Sequence, residues 1–326
     1  MKTLYSKRFK CLFITFFSTI NICALAADYP IKPIKIIVGF APGGATDAIA
    51  RILAQDMAQT LSQPVIVENK LGATGNVATD FVRRAEPDGY TILLTSQSHI
   101  TNPMLLKAVQ YDAIKDFSPI TQAAILPMML VVGGETKWTH LKDLAATSKS
   151  SNESISYATA GIGGAGHLNA ELLAQAIGSK MTHIPFKGSA PALAEVMSGR
   201  VTFQFTPIAG VNQFVATNKL RVLGIGTKTR HPEWPNISTM DELGYPGFDE
   251  AAPWLGVFAP KNTPIAVINA LNQAAQKSLK ETKTLEKMKV LGAIPSSGTP
   301  GQFITFLEND TRRWSKIITE AGLKPE

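Results

Sequence analysis

Cysteine is almost missing from this sequence: of its 326 residues only Cys11 and Cys23 carry a thiol. Both lie in an opening stretch that has the form of a secretory signal peptide. Lys2, Lys7, Arg8 and Lys10 precede an apolar run from Cys11 to Leu25 that closes on Ala24-Leu25-Ala26. Polar Thr15, Ser18, Thr19 and Asn21 interrupt that run, which is too short to span a ~30 Å hydrocarbon layer comfortably. Residues 1–26 are therefore expected to be removed, with cleavage near Ala26 and export to the periplasm. What is left contains no thiol, so disulfides, cysteine metal sites and cysteine nucleophiles are excluded, and stability must come from burial.

Charge is also scarce. Only 17% of residues are charged against 45% hydrophobic, ample apolar material for one large or two medium globular units. The formal charge of +7 shrinks once the leader is set aside, because the leader holds four of the 32 basic residues and no acid. That leaves 28 basic against 25 acidic side chains, about +3. There is no Lys/Arg run and no basic stripe interleaved with aromatics, so nucleic acid is not an expected partner. The catalytic motifs are missing as well: no Gly-Lys-Ser/Thr follows Gly43-Gly44, and there is no G-x-S-x-G and no H-E-x-x-H. No two of His99, His140, His167, His183 and His231 stand at metal spacing. No catalytic residue, metal or cofactor is expected. Gly161-Ile-Gly163-Gly-Ala-Gly166 does match the dinucleotide fingerprint G-x-G-x-x-G. The next strand, MTHIPF, however, runs into Phe186-Lys187-Gly188 with no acid to take a ribose hydroxyl.

What the chain does have is strand and helix in alternation. IKIIVGF leads to a helix over about Ala45–Leu61, then PVIVEN, a helix near Gly75–Arg84, and YTILLTS. Ile49, Ile52, Leu53, Met57 and Leu61 fall on one face of the first helix. A second series begins after Pro127: MMLVV, a helix near Leu141–Ser148, ISYATA, a helix over His167–Ile177, MTHIPF, a helix over Pro191–Ser198, VTFQF and LRVLGIG. After a Pro- and Gly-rich stretch, WLGVFAP reads as a strand rejoining the first unit. Two helices are expected to finish the chain, started by Thr263-Pro264 and Thr299-Pro300. This predicts two α/β lobes, each a mostly parallel sheet flanked by helices. Residues 27–126 and 253–326 would build one lobe and 127–252 the other.

Four strand ends run into glycine-rich or polar corners: GFAPGGATD, ENKLGATGN, LTSQSHITN and YATAGIGGAGH. Ligands of open α/β sheets bind beyond the carboxyl ends of strands. A helix N-terminus reached over glycines favours an anion. Asp47 is expected to complement its helix dipole rather than meet the anion. His167 is expected to cap and pack, or to meet the ligand or its water, with Glu171 as an i,i+4 partner. Phe40, Phe186 and Trp254 are open as cavity lining or as core.

GFAPGGATDAIAR, PVIVENKLGATG, EPDGYTILL, KDFSPIT, YATAGIGGAGHLNAEL, HIPFKGSAPAL, KLRVLGI and WLGVFAPKNTP resemble, in order and spacing, the successive blocks of the Bug receptors of tripartite tricarboxylate transporters. The resemblance implies a two-lobed α/β fold of the periplasmic binding protein type II, or Venus-flytrap, kind. It implies a monomer that captures a small carboxylate for an integral membrane permease, the carboxylate held largely by backbone amides, hydroxyls and water at the first glycine corner, Gly43-Gly44, rather than by arginine. Carried over, the site is Phe40, Ala41, Pro42, Gly43, Gly44, Thr46 and Asp47, facing Ala73 and Thr74. Thr159, Gly161, Gly163, His167 and the Phe186-Lys187-Gly188 turn come from the second lobe. The family often has tyrosine where Phe186 stands and an aspartate near Thr206, so a less polar pocket is implied, suited to a monocarboxylate or aromatic acid over an amino acid. An orphan sensor of the same fold and a periplasmic enzyme are the alternative readings.

Overall fold

The computed structural model describes residues 29–150 and 154–325; the leader and its cleavage point lie outside them. The chain opens β1 (Ile34–Val38), α1 (Ala45–Leu61), β2 (Val65–Asn69), α2 (Asn76–Arg83), β3 (Thr91–Ser96), α3 (Ser98–Leu105) and β4 (Phe117–Ile125). It then forms β5 (Met128–Gly133), α4 (Leu141–Lys149), β6 (Ser156–Thr159), α5 (Ala165–Ile177), β7 (Thr182–Pro185), α6 (Ser189–Met197), β8 (Phe203–Pro207), α7 (Asn212–Ala216) and β9 (Leu220–Ile225). It closes with β10 (Trp254–Pro260), α8 (Ile265–Ser278), α9 (Thr282–Val290), β11 (Ile294–Pro295) and α10 (Pro300–Glu320).

Two sheets result, ordered β11-β4-β10-β3-β1-β2 and β7-β6-β8-β5-β9. Helices cover both faces of the first, so β1 is apolar at every position but Lys35. One core joins β1, β3, β4 and β10 to α1 and α8, through Ile36, Leu53, Leu94, Val257 and Leu271. A second gathers Trp254, Phe258, Phe303 and Trp314 between β10 and α10. The sheets are mixed rather than mostly parallel: β10 runs antiparallel to β3 and β4, and β5 runs antiparallel to β8 and β9. The returning strands arrive from the other half of the molecule instead of through a crossover helix, so nothing forces them parallel.

Three helices, not two, follow β10, because α9 forms between the expected pair. Thr299 caps α10 as its spacing predicts, with Gln302 closing the reciprocal pair. Thr263 does not cap α8: its hydroxyl donates to Pro260 O at 2.7 Å, and Pro264 stands at the cap position.

The chain passes between the sheets twice, after β4 and before β10, and the two crossings lie side by side. Leu126 N–H donates to Pro253 O at 2.7 Å. Beside them, Gln97 N–H donates to Trp254 O at 3.1 Å. α10 also reaches across, since Leu168 of α5 packs in its core and Gln175 Nε2 donates to Ile317 O at 3.3 Å.

Candidate functional site

The two sheets each present a glycine corner at the end of a strand, and the corners are built alike. After β1, Gly43 takes φ +82° and Gly44 (φ −74°, ψ 165°) caps α1. After β6, Gly163 takes φ +73° and Gly164 (φ −71°, ψ 163°) caps α5. Only glycine enters the left-handed region at no steric cost, so each corner needs its first glycine. Both helices start without a side-chain cap, which leaves their first-turn amides facing outward.

In each corner the fourth residue after the first glycine reaches back. Gly43 N–H donates to Asp47 Oδ2 at 2.9 Å, and Gly163 N–H donates to His167 Nδ1 at 3.0 Å. Those two amides are thereby spent and cannot also serve an anion. Asp47 is buried, and although burial opposes its charge, Arg51, the Gly43 amide and Asn69 hold its carboxyl below the usual carboxylate range. Arg51 forks onto it at 2.9 and 3.0 Å, so the pair is neutral as a unit.

His167 is a neutral imidazole. Burial, then neighbouring His183, lowers it to about 3. Its ring stacks on His183 at 3.9 Å, and burial lowers His183 to about 4. His183 Nε2 lies 2.7 Å from Thr159 Oγ1. Glu171 stands 3.9 Å from His167 Nε2 but takes its hydrogen bond from the Tyr157 hydroxyl. The expected His167–Glu171 pair is therefore displaced, because a buried neutral imidazole offers the carboxylate no charge.

Between the halves lies a cavity of about 410 Å³. Phe40, Thr74, Ser96, Gln97, Ser98 and Thr101 line it from the first-sheet side, residues 160–165 and Gly188 from the second, and Pro253 from the crossing. None of these side chains is charged. Gly164 and Ala165 bring the N-terminus of α5 into the wall, and Phe40, Ile162 and Pro253 supply apolar surface. Gly39 allows the second corner to close in, since a Cβ there would stand 2.5 Å from Gly75 Cα. Across the cleft, a Cβ on Gly163 would stand 2.7 Å from Leu105 Cδ1, so the halves touch there.

Of the residues expected from sequence, Phe40, Thr74, Gly161, Gly163 and Gly188 line this cavity. Ala41, Pro42, Gly43, Gly44 and Ala73 are exposed outside it, and Thr46 is partly so. Asp47, Thr159 and His167 are buried behind the corners they brace. Phe186 packs on the core of the second half, Lys187 is exposed, and Thr206 is buried with its hydroxyl 3.5 Å from that of Ser189. Trp254 is core, its indole N–H donating to Asp310 Oδ2 at 2.7 Å. The sequence pointed to the LTSQSHITN corner but assigned none of its residues to the site, yet Ser96, Gln97, Ser98 and Thr101 all reach the wall. The signal was there, because β3 pairs directly with β1 and ends at the same rim. Among the described residues no cluster of three or more His, Cys, Asp or Glu could hold a metal, and no helix is long and apolar enough to cross a membrane.

The tripartite tricarboxylate transporter family receptor model matches residues 49–323. The chain belongs to that family. BugT of Bordetella pertussis is 35% identical over 313 residues, covering 95% of this chain and 96% of BugT. The periplasmic binding protein BugD superposes with a TM-score of 0.80 at 36% identity, covering 91% of this chain and all of BugD. The R. palustris protein Rpa4515, solved with adipate, gives 0.82 at 30% identity, over 92% of this chain and all of the other. The two α/β halves are thus the lobes of the periplasmic binding protein fold, and this receptor's cavity lies in the cleft between them.

Proposed function

We propose that this receptor, once its leader is cleaved near Ala26, captures one small organic carboxylate in the periplasm. It holds the carboxylate between lobes built from residues 27–126 with 253–326 and from 127–252, and as a monomer delivers it to an integral membrane permease. No bond of the ligand is made or broken. The observation that carries the reading is the uncapped N-terminus of α5, reaching the wall of a cavity whose side chains bear no charge. A carboxylate there neutralises the helix end and receives the Gly164 and Ala165 amides. Two charge-assisted hydrogen bonds supply roughly 3–6 kcal/mol, whereas micromolar affinity needs about 8. The difference falls to donors of the facing lobe and to apolar burial on Phe40 and Ile162 at ~25 cal/mol per Å². An ammonium group finds no carboxylate on this wall, which favours a monocarboxylate or aromatic acid over an amino acid.

Gly164→Val tests the seat. Gly164 has an ordinary φ, and a Cβ there meets nothing nearer than Gly161 O at 3.7 Å, so the fold stands while the branched side chain covers the amides. Calorimetry with short carboxylic acids is expected to show at least a roughly hundredfold loss of affinity, the loss of about 3 kcal/mol. Unchanged affinity removes the α5 terminus from the site, and Gly44→Val then asks the same of the α1 corner.

A further inference from the structure

We infer that Gln97 is a specificity-determining residue, reading an uncharged group that both donates and accepts a hydrogen bond, a hydroxyl or a carboxamide, on the part of the ligand remote from its carboxylate. This rests on the carboxylate reading above and adds the chemistry of the other end. Gln97 lines the cavity and is 3% exposed. Among the described residues neither its Oε1 nor its Nε2 has a partner. Its backbone is fully engaged: the N–H donates to Trp254 O, and the C=O accepts from Ile100 N at 3.0 Å and Thr101 N at 3.3 Å. The side chain is thus mounted at the cap position just before α3, on backbone tied to the crossing strand, with only its amide left to bond. Its neighbours on the wall do not compensate, since the Ser96 and Ser98 hydroxyls lie 2.9 Å apart and bond each other.

A buried primary amide has one accepting and one donating end, and both are satisfied only by a group that offers both. A hydroxyl or a carboxamide does so. A second carboxylate satisfies Nε2 alone and sets its charge against Oε1, and an alkyl group leaves both ends unpaired. Sites that hydrogen-bond a polar group discriminate against the analogue lacking it far more strongly than apolar pockets discriminate by size. Gln97 belongs to the first-sheet wall of the cavity and the α5 terminus to the second, so the carboxylate and the group read by Gln97 occupy opposite walls.

The test is calorimetry on the mature receptor with matched acids of four to six carbons: the alkanoate, the ω-hydroxy acid, the ω-amide acid and the diacid. The hydroxy or amide acid is expected to bind at least about tenfold tighter than the alkanoate and diacid of the same length. Gln97→Leu and Gln97→Met, each checked for folding by thermal melting, are expected to erase the difference between hydroxy acid and alkanoate. A diacid that binds tightest, or a preference that survives both substitutions, overturns the inference and leaves the carboxylate reading standing. Binding of none of the acids sinks the carboxylate reading and this inference with it. If neither variant folds, the ranking on the unaltered receptor decides alone.

Discussion

Four buried or half-buried histidines, His99, His167, His183 and His231, are lowered by burial and give the protein a definite response to acid. Burial lowers His99 to about 4, though its bond to Ala113 O pulls the other way, and lowers His167 and His183 to about 3 and 4. The unfolded chain protonates its histidines near 6.5, so below that pH it binds protons that the folded chain refuses. Their stabilisation is complete above pH 6.5 and is lost as pH falls toward 4. For fully buried His99 the loss at pH 5 is on the order of 2 kcal/mol. Asp310 acts in the opposite sense. Burial, against Trp254 and Arg313, raises it from 3.8 to about 6, so its contribution is present below 3.8 and disappears as pH rises through 6. Four histidines oppose one aspartate, and the urea midpoint is expected to fall between pH 7 and pH 5. His99→Gln should flatten that dependence; an equally steep slope in the variant would remove His99 as a cause.

Elements were legible wherever local pattern and final environment agreed. α1 occupies the span its apolar stripe predicts, and the Thr299 cap can be read directly from Thr-Pro-Gly-Gln. Thr299→Ala deletes the acceptor for Gln302 N at 3.2 Å and is expected to lower stability by about 1 kcal/mol, seen as a depressed melting temperature. α3 was hidden because Pro103 and a run of polar residues conceal a helix whose polar side chains are mostly buried, His99 among aromatic rings and Asn102 on Thr74 O. β4 was hidden for a related reason: Pro119 sits within it, tolerated beside a register irregularity opposite Phe258. No local propensity announces either element, since both depend on partners far along the chain. Gln97 went unnamed on the same ground, because its significance comes from what the protein fails to offer its amide.

At the scale of the whole molecule, the repeated strand–glycine–helix plan was visible in the sequence because both copies of the corner are short and local. The mixed order of the sheets was not, because it follows from strands crossing between lobes. Those crossings run together through the Leu126–Pro253 hydrogen bond and, with the Gln175–Ile317 bond to α10, tie the lobes together. Gly163 of one lobe also meets Leu105 of the other. Gly163→Ala is expected to hold the lobes apart, raising the radius of gyration of the ligand-saturated receptor in solution scattering. An overpacking cost of about 1–3 kcal/mol would weaken binding five- to hundredfold. Adding Leu105→Ala should reverse both effects, which backbone strain at residue 163 alone would not allow. Leu105 stands behind the cavity wall, so trimming or enlarging it adjusts how firmly the jaws bite without altering what they taste. Retention time of the cargo and choice of the cargo are then separately adjustable properties of one clamp.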